Sequence, residues 1–240
     1  MEIVIKDTYE EIAALAGERI AESVRARPDI TLGLATGSSP LGIYDYLARA
    51  HLKGLSFKHV RTANLDEYVG LSPAHPQSYR YFMEREFFAK TGVSPKNIGF
   101  PRGDAEDLEK ECERYDLYLQ KWARDIQILG LGANGHIGFN EPGTPFDSVT
   151  HITELKESTR LANSRFFKTA EEVPSKAITM GIKNILDSKS IILVASDTYK
   201  AGAVKDMLEG EISVNCPACA LRGHKNVTVY LDKKAAKLLR

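Results

Sequence analysis

Short apolar runs alternate with longer stretches of helical periodicity from one end of the chain to the other. The runs Ile3–Ile5, Thr31–Ala35, Thr62–Leu65, Asp125–Leu129, Ala177–Met180, Ile191–Ala195 and Val227–Leu231 are β-branched or aliphatic. Several lack an apolar/polar alternation, as strands covered on both faces do, and together they predict a parallel sheet. After the first run, Ile12, Ala16, Ile20 and Val24 recur at four-residue steps, which predicts an amphipathic helix over Thr8–Arg27. Thr8 and Glu11 have the spacing of a capping box at its start. Pro40–Lys53, Gln77–Lys90, Ala105–Trp122 and Thr198–Glu209 predict further helices. Strand–helix alternation throughout implies an α/β fold: a Rossmann-like open sheet, mostly parallel, with helices on both faces. No repeat, low-complexity tract or linker interrupts residues 1–240, which read as one domain.

In such sheets ligands bind beyond the carboxyl ends of the strands, so the segments after the strands carry the candidate chemistry. Thr36-Gly37-Ser38-Ser39-Pro40 follows Thr31–Ala35. Gly37 permits a tight turn, Ser39 suits an N-cap and Pro40 a first helical position. Backbone N–H groups and two hydroxyls at a helix start make a phosphate cradle, although an ordinary strand-to-helix turn has the same look. It is not a nucleotide P-loop, because the terminal Gly-Lys-Ser/Thr is missing. Asp66-Glu67-Tyr68 follows Thr62–Leu65. A carboxylate there is placed for general-base work, against the plainer reading of a solvated acidic turn.

The densest segment is Gly130-Leu131-Gly132-Ala133-Asn134-Gly135-His136-Ile137-Gly138-Phe139-Asn140-Glu141-Pro142-Gly143. Gly130, Gly132 and Gly135 match a dinucleotide fingerprint literally, but Gly138, Pro142 and Gly143 break the helix that it should open, and Glu154 and Glu157 sit in no clear strand. His136 and Glu141 do not form a zinc HExxH pair, so no metal is expected. The loop instead offers an imidazole, a carboxylate and asparagines on a glycine-rich backbone, the components of a proton-transfer device. Arg165 and Lys200 are candidate clamps for a phosphate, the one as a bidentate fork and the other as a point charge. Cys216-Pro217-Ala218-Cys219 is a lone CxxC, read as a short helix started by Pro217 with incidental thiols.

Lys plus Arg equals Asp plus Glu, 32 against 32, so nothing draws the chain as a whole toward nucleic acid or an anionic membrane. No run is long and apolar enough to span a bilayer, and the start lacks a signal peptide's basic and apolar regions. With three cysteines, these points lead us to expect a cytoplasmic protein.

Asn64-Leu65-Asp66-Glu67-Tyr68-Val69-Gly70-Leu71, taken with the segments Thr36–Pro40, Gly132–Gly143 and Asn163-Ser164-Arg165-Phe166-Phe167, closely resembles the glucosamine-6-phosphate deaminase family from the first strand to the last. The resemblance implies deamination of D-glucosamine 6-phosphate to D-fructose 6-phosphate and ammonia, without a cofactor. It implies that Asp66 removes the C2 proton, that His136 opens the ring, and that Glu141 and Asn134 support the imidazole. Gly37, Ser38, Ser39, Arg165 and Lys200 match the phosphate-binding positions. Many family members have aspartate where this chain has Asn134, which puts the pH dependence of ring opening in question. Basic residues of the longer branch's allosteric pocket align here with His151 and Thr153, beside Glu154, so the resemblance is to the short branch. A monomer or low-order homo-oligomer without activation by N-acetylglucosamine 6-phosphate is expected. The rivals are a 6-phosphogluconolactonase, of similar fold but needing no C2 base, and a sugar-phosphate-sensing domain of a transcription regulator, for which no helix-turn-helix precedes residue 1.

Overall fold

The computed structural model describes residues 1–155 and 172–240. A seven-stranded parallel sheet forms its centre, in the order β1 (Glu2–Lys6), β10 (Val227–Asp232), β9 (Ile191–Ala195), β6 (Ile126–Gly130), β2 (Thr31–Leu34), β3 (Arg61–Asn64) and β5 (Ile98–Gly99). Strands β2, β9 and β10 are buried along their whole length, which explains their unbroken apolar character.

Helix α1 (Tyr9–Ala26) starts as expected. Thr8 Oγ1 accepts from the Glu11 N–H at 3.3 Å, and Glu11 Oε2 accepts from the Thr8 N–H at 2.9 Å. Its Ile12, Ala16, Ile20 and Val24 face the core with α2 (Leu41–Leu52), covering Leu32, Leu34, Ile126 and Ile128 on one face of the sheet. The Tyr79–Met83 helix, the π-helical turn Glu84–Phe88 and the turn Ala89–Thr91 together form α3 on that face. The other face packs α4 (Leu108–Lys121), α5 (Ile182–Leu186), α6 (Ala201–Glu209) and the 3-10 helix Pro217–Gly223, which Pro217 starts as expected.

A second sheet of three antiparallel strands, β4 (Asp66–Tyr68), β8 (Lys176–Thr179) and β7 (His151–Glu154), corrects the sequence reading in two places. The run Ala177–Met180 forms a strand over Lys176–Thr179, but it belongs to this sheet, with Asp66 opposite Thr179 and Tyr68 opposite Ala177. Glu154 also lies in a strand, with His151 and Thr153 beside it. All three residues lie on β7, which is too short and polar to show a period.

Candidate active site

After β2 the chain builds β3 and β5 on one side, then returns to lay β6, β9 and β10 on the other. The boundary between β2 and β6 is therefore a topological switch point, where the loops diverge and leave a crevice. Segments following β9, β6, β2 and β3 meet around it, because these strands are neighbours in that order.

The loop after β2 turns at Gly37, whose φ of 85° lies in the left-handed region that glycine tolerates. The expected N-cap is corrected. Pro40 occupies the cap position without a side-chain cap bond, while the Ser39 hydroxyl accepts from Lys200 Nζ at 2.9 Å. The N–H groups of Gly37, Ser38 and Ser39 have no acceptor among the described residues. Tyr9 ties the loop to α1, its hydroxyl donating to the Ser38 and Ser39 carbonyls at 3.1 and 3.0 Å. A Cβ on Gly130, at the end of β6, would stand 3.1 Å from Ser39 Oγ, so the glycine gives the cradle room to close over that strand.

Lys200 reaches the cradle from the turn after β9 and is 5% exposed. Burial pulls its ammonium down to about 8, against the pull of Asp197 and Asp232 the other way. Asp197 aims this turn from a φ of 80°, a strained value for a side-chain-bearing residue. Its N–H donates to both Asp232 carboxylate oxygens at 3.1 Å, which holds the turn in place. A bidentate contribution from Arg165 falls outside the described residues.

Asp66 and Glu67 are 5% and 2% exposed, so the segment is not a solvated acidic turn. Burial first, and the neighbouring Glu67 second, push the Asp66 carboxyl up to about 8. Glu67 caps α3: its carboxylate accepts from the Tyr79 and Arg80 N–H groups, both at 2.9 Å, and from Ser78 Oγ at 2.8 Å. Burial nevertheless raises its pKa, outweighing these bonds.

The loop after β6 forms no helix between 131 and 150, which removes the dinucleotide fingerprint's structural basis. The side-chain N–H of Asn134 donates to Glu141 Oε2 at 2.8 Å, so its carbonyl Oδ1 faces His136 Nδ1, 2.6 Å away. An amide oxygen accepts only, hence Nδ1 carries the proton and Nε2 is the accepting nitrogen of the neutral ring. Glu141 Oε1 lies 3.9 Å from Nδ1. The imidazole rests on Gly132, where a Cβ would stand 2.2 Å from its Cε1.

The antiparallel sheet brings the carboxylate and the imidazole loop together. Thr179, opposite Asp66, accepts the Phe139 N–H at its hydroxyl (3.1 Å), and the Met180 carbonyl accepts from Asn140 Nδ2 at 2.9 Å. A Cβ placed on Gly138 would lie 3.4 Å from Asp66 Oδ2. Gly138 is two residues from His136, at most about 7 Å along the backbone, so the loop that carries the imidazole passes beside Asp66. Sequence reasoning counted Asn140 among the loop's asparagines without giving it a role, and missed Glu67, Thr179 and Tyr79 as parts of this region. Of the three missed residues, only Glu67 carried a local signal, its adjacency to Asp66. No group of three His, Cys, Asp or Glu side chains that could hold a metal occurs among the described residues.

Residues 5–230 match the family model described as glucosamine-6-phosphate isomerases/6-phosphogluconolactonase. The chain is 51% identical to a glucosamine-6-phosphate deaminase of Bacillus velezensis, over 98% of this chain and 99% of the other. It is 48% identical to glucosamine-6-phosphate deaminase 1 of Bacillus subtilis, over 99% of each. Among solved structures, a monomeric glucosamine-6-phosphate deaminase superposes with a TM-score of 0.97 at 48% identity, over 99% of this chain and 100% of that one. A 6-phosphogluconolactonase from Trypanosoma brucei shares the fold, with a TM-score of 0.83 at 20% identity over 100% of this chain and 98% of that one. With matches of this extent spanning all the segments that border the crevice, the chain belongs to the family of glucosamine-6-phosphate isomerases and 6-phosphogluconolactonases.

Proposed function

We infer that this chain converts D-glucosamine 6-phosphate and water into D-fructose 6-phosphate and ammonia. One observation carries the assignment of roles: a buried carboxyl held near pH 8 faces Gly138, in the loop that carries an imidazole with a fixed tautomer. The phosphate binds the N–H groups of Gly37, Ser38 and Ser39, with Lys200 and Arg165 supplying positive charge. His136 Nε2 takes the proton of the anomeric hydroxyl, and the ring oxygen receives one as the C1–O5 bond breaks. Asn134 and Glu141 hold the ring orientation and tautomer during that exchange.

Asp66 then removes the C2 proton from the open chain, while the C1 carbonyl oxygen takes a proton from the C2 ammonium and becomes the hydroxyl of an enolamine. Returning the proton to C1 gives a 2-imino sugar; water adds at C2 and ammonia leaves. The substrate itself adjusts this base. A C2 ammonium within about 4–6 Å favours the carboxylate and draws its pKa down. A lactone has no cation there, so the raised Asp66 supports the deaminase over the lactonase reading. A positioned acid or base supplies about 10²–10⁴-fold, and hydrogen-bond donors facing the developing charge supply more.

We place the reaction in the cytoplasm and the protein among monomers or low-order oligomers, without activation by N-acetylglucosamine 6-phosphate. No helix among the described residues is long and apolar enough to cross a membrane. Ammonia release from glucosamine 6-phosphate by the purified chain, beside acid release from 6-phosphogluconolactone, tests the function. Acid release alone would overturn it.

A further inference from the structure

His136 stands between Gly135 and Gly138, whose φ values of 84° and 59° lie in the left-handed region. So permissive a backbone does not fix the imidazole by itself, and bonds to other segments must. One anchor is made of backbone alone: the Ala218 N–H donates to the Gly135 carbonyl at 2.9 Å. On the other side of His136, the Phe139 N–H donates to Thr179 Oγ1 at 3.1 Å. Asn140 Nδ2 donates to the carbonyls of Ile137 and Met180, both at 2.9 Å. Thr179 is fully buried on β8, the middle strand of the antiparallel sheet, and is the residue paired with Asp66. A Cβ on Gly138 would stand 3.0 Å from its Oγ1, so the loop closes on the hydroxyl where a side chain would hold it off.

We propose that Thr179 is a positioning residue: by accepting the Phe139 N–H, its hydroxyl aligns the His136 imidazole with the sugar that Asp66 deprotonates. The proposal rests on the sugar-phosphate reading above. The Phe139 ring also packs on Tyr68 and Tyr79, at 5.6 and 5.8 Å between centroids. Apolar contact of that kind is non-directional and lets a loop slide, whereas an N–H bond weakens steeply once its angle opens. Donor and acceptor are 40 residues apart in the chain, and the acceptor sits on the residue across from Asp66. The bond therefore refers the position of the imidazole loop to the strand that carries the base. Asn140 fastens the same turn to Met180, but it belongs to the turn itself, so Thr179 is the partner that can be altered from outside. Valine has threonine's shape without the acceptor. It would leave the Phe139 N–H, on a residue 4% exposed, buried and unpaired, and the loop must shift to relieve it.

The test measures ammonia release from glucosamine 6-phosphate by the full chain carrying T179V or T179S, in the wild-type and H136Q backgrounds. T179V lowers kcat about tenfold, the effect of one well-placed hydrogen bond, and leaves KM within about twofold. T179S keeps the acceptor and stays within about twofold of wild type. H136Q has no imidazole to align, so adding T179V to it costs less than about twofold. A fold defect or a smaller active fraction would instead multiply into both backgrounds, and an undiminished T179V loss in H136Q overturns the proposal. So does T179V at wild-type kcat, or a T179S loss equal to that of T179V. If T179V does not fold, T179S and T179A make the same comparison, since they differ only in the hydroxyl. If the wild type releases no ammonia from glucosamine 6-phosphate, the underlying reading fails instead.

Discussion

Replacing Gly132 with alanine tests the His136 role without touching a polar group. The added Cβ would stand 2.2 Å from His136 Cε1, 2.3 Å from Nδ1 and 2.5 Å from Nε2. Unbonded carbon atoms settle at about 3.5–4.0 Å, so the ring must retreat by more than about 1 Å. Its 2.6 Å bond to Asn134 would not survive that shift. Gly132 is not in the left-handed backbone region, so alanine adds no backbone strain. A misplacement of this size costs on the order of 10²-fold where a catalytic group must be aligned. Ammonia release from glucosamine 6-phosphate should therefore fall about 10²-fold, with KM nearly unchanged. An analogue lacking both the O4 and O5 hydroxyls can close to neither a furanose nor a pyranose and needs no ring opening; its turnover should stay within a few-fold of wild type. Unchanged turnover of the cyclic substrate, or an equal loss on the analogue, would refute the ring-opening role.

Further outcomes follow from the charged groups and from α1. Asp66 must be ionised to act and Lys200 must be charged to bind, so kcat/KM should rise with pH and then fall, both limbs centred near 8 in the unliganded protein. Saturating substrate should remove the alkaline limb, because bound phosphate favours the ammonium; a persistent limb in kcat would exclude Lys200 as its source. Asp66 holds a proton that the unfolded chain releases above about 4, so its contribution to stability is lost as pH rises from there to about 8. Urea unfolding should therefore show Asp66→Asn gaining on wild type across that window. Ser39→Ala removes the acceptor for Lys200 Nζ and should weaken binding of phosphorylated sugars by about tenfold, measured as KM, with kcat little changed. Thr8→Ala should cost about 1 kcal/mol of stability by denaturant titration, since it removes the N-cap of α1.

The sequence was most legible where the determining contacts are local. Thr8 and Glu11 cap α1 through bonds spanning three residues, and the spacing alone announced them. Asn134, His136 and Glu141 likewise lie within one loop, and two short hydrogen bonds join the three side chains. Ser39 was misread as an N-cap because its actual partner, Lys200, is 161 residues away. The acidic turn at Asp66 looked solvated for the same reason: β8, which buries it, comes more than a hundred residues later. Strands β4 and β7 are short and polar, so periodicity could not report them. Tyr79 gave no signal as a single aromatic residue, and its significance lies entirely in whom it touches.

The central claim is that Asp66 transfers the C2 proton. Exchange of that proton with solvent deuterium, followed by NMR in wild type and Asp66→Asn at saturating substrate, tests it most directly. We predict that exchange and ammonia release fall together by about 10²–10⁴-fold while substrate still binds. Exchange continuing at the wild-type rate in the variant would contradict the claim.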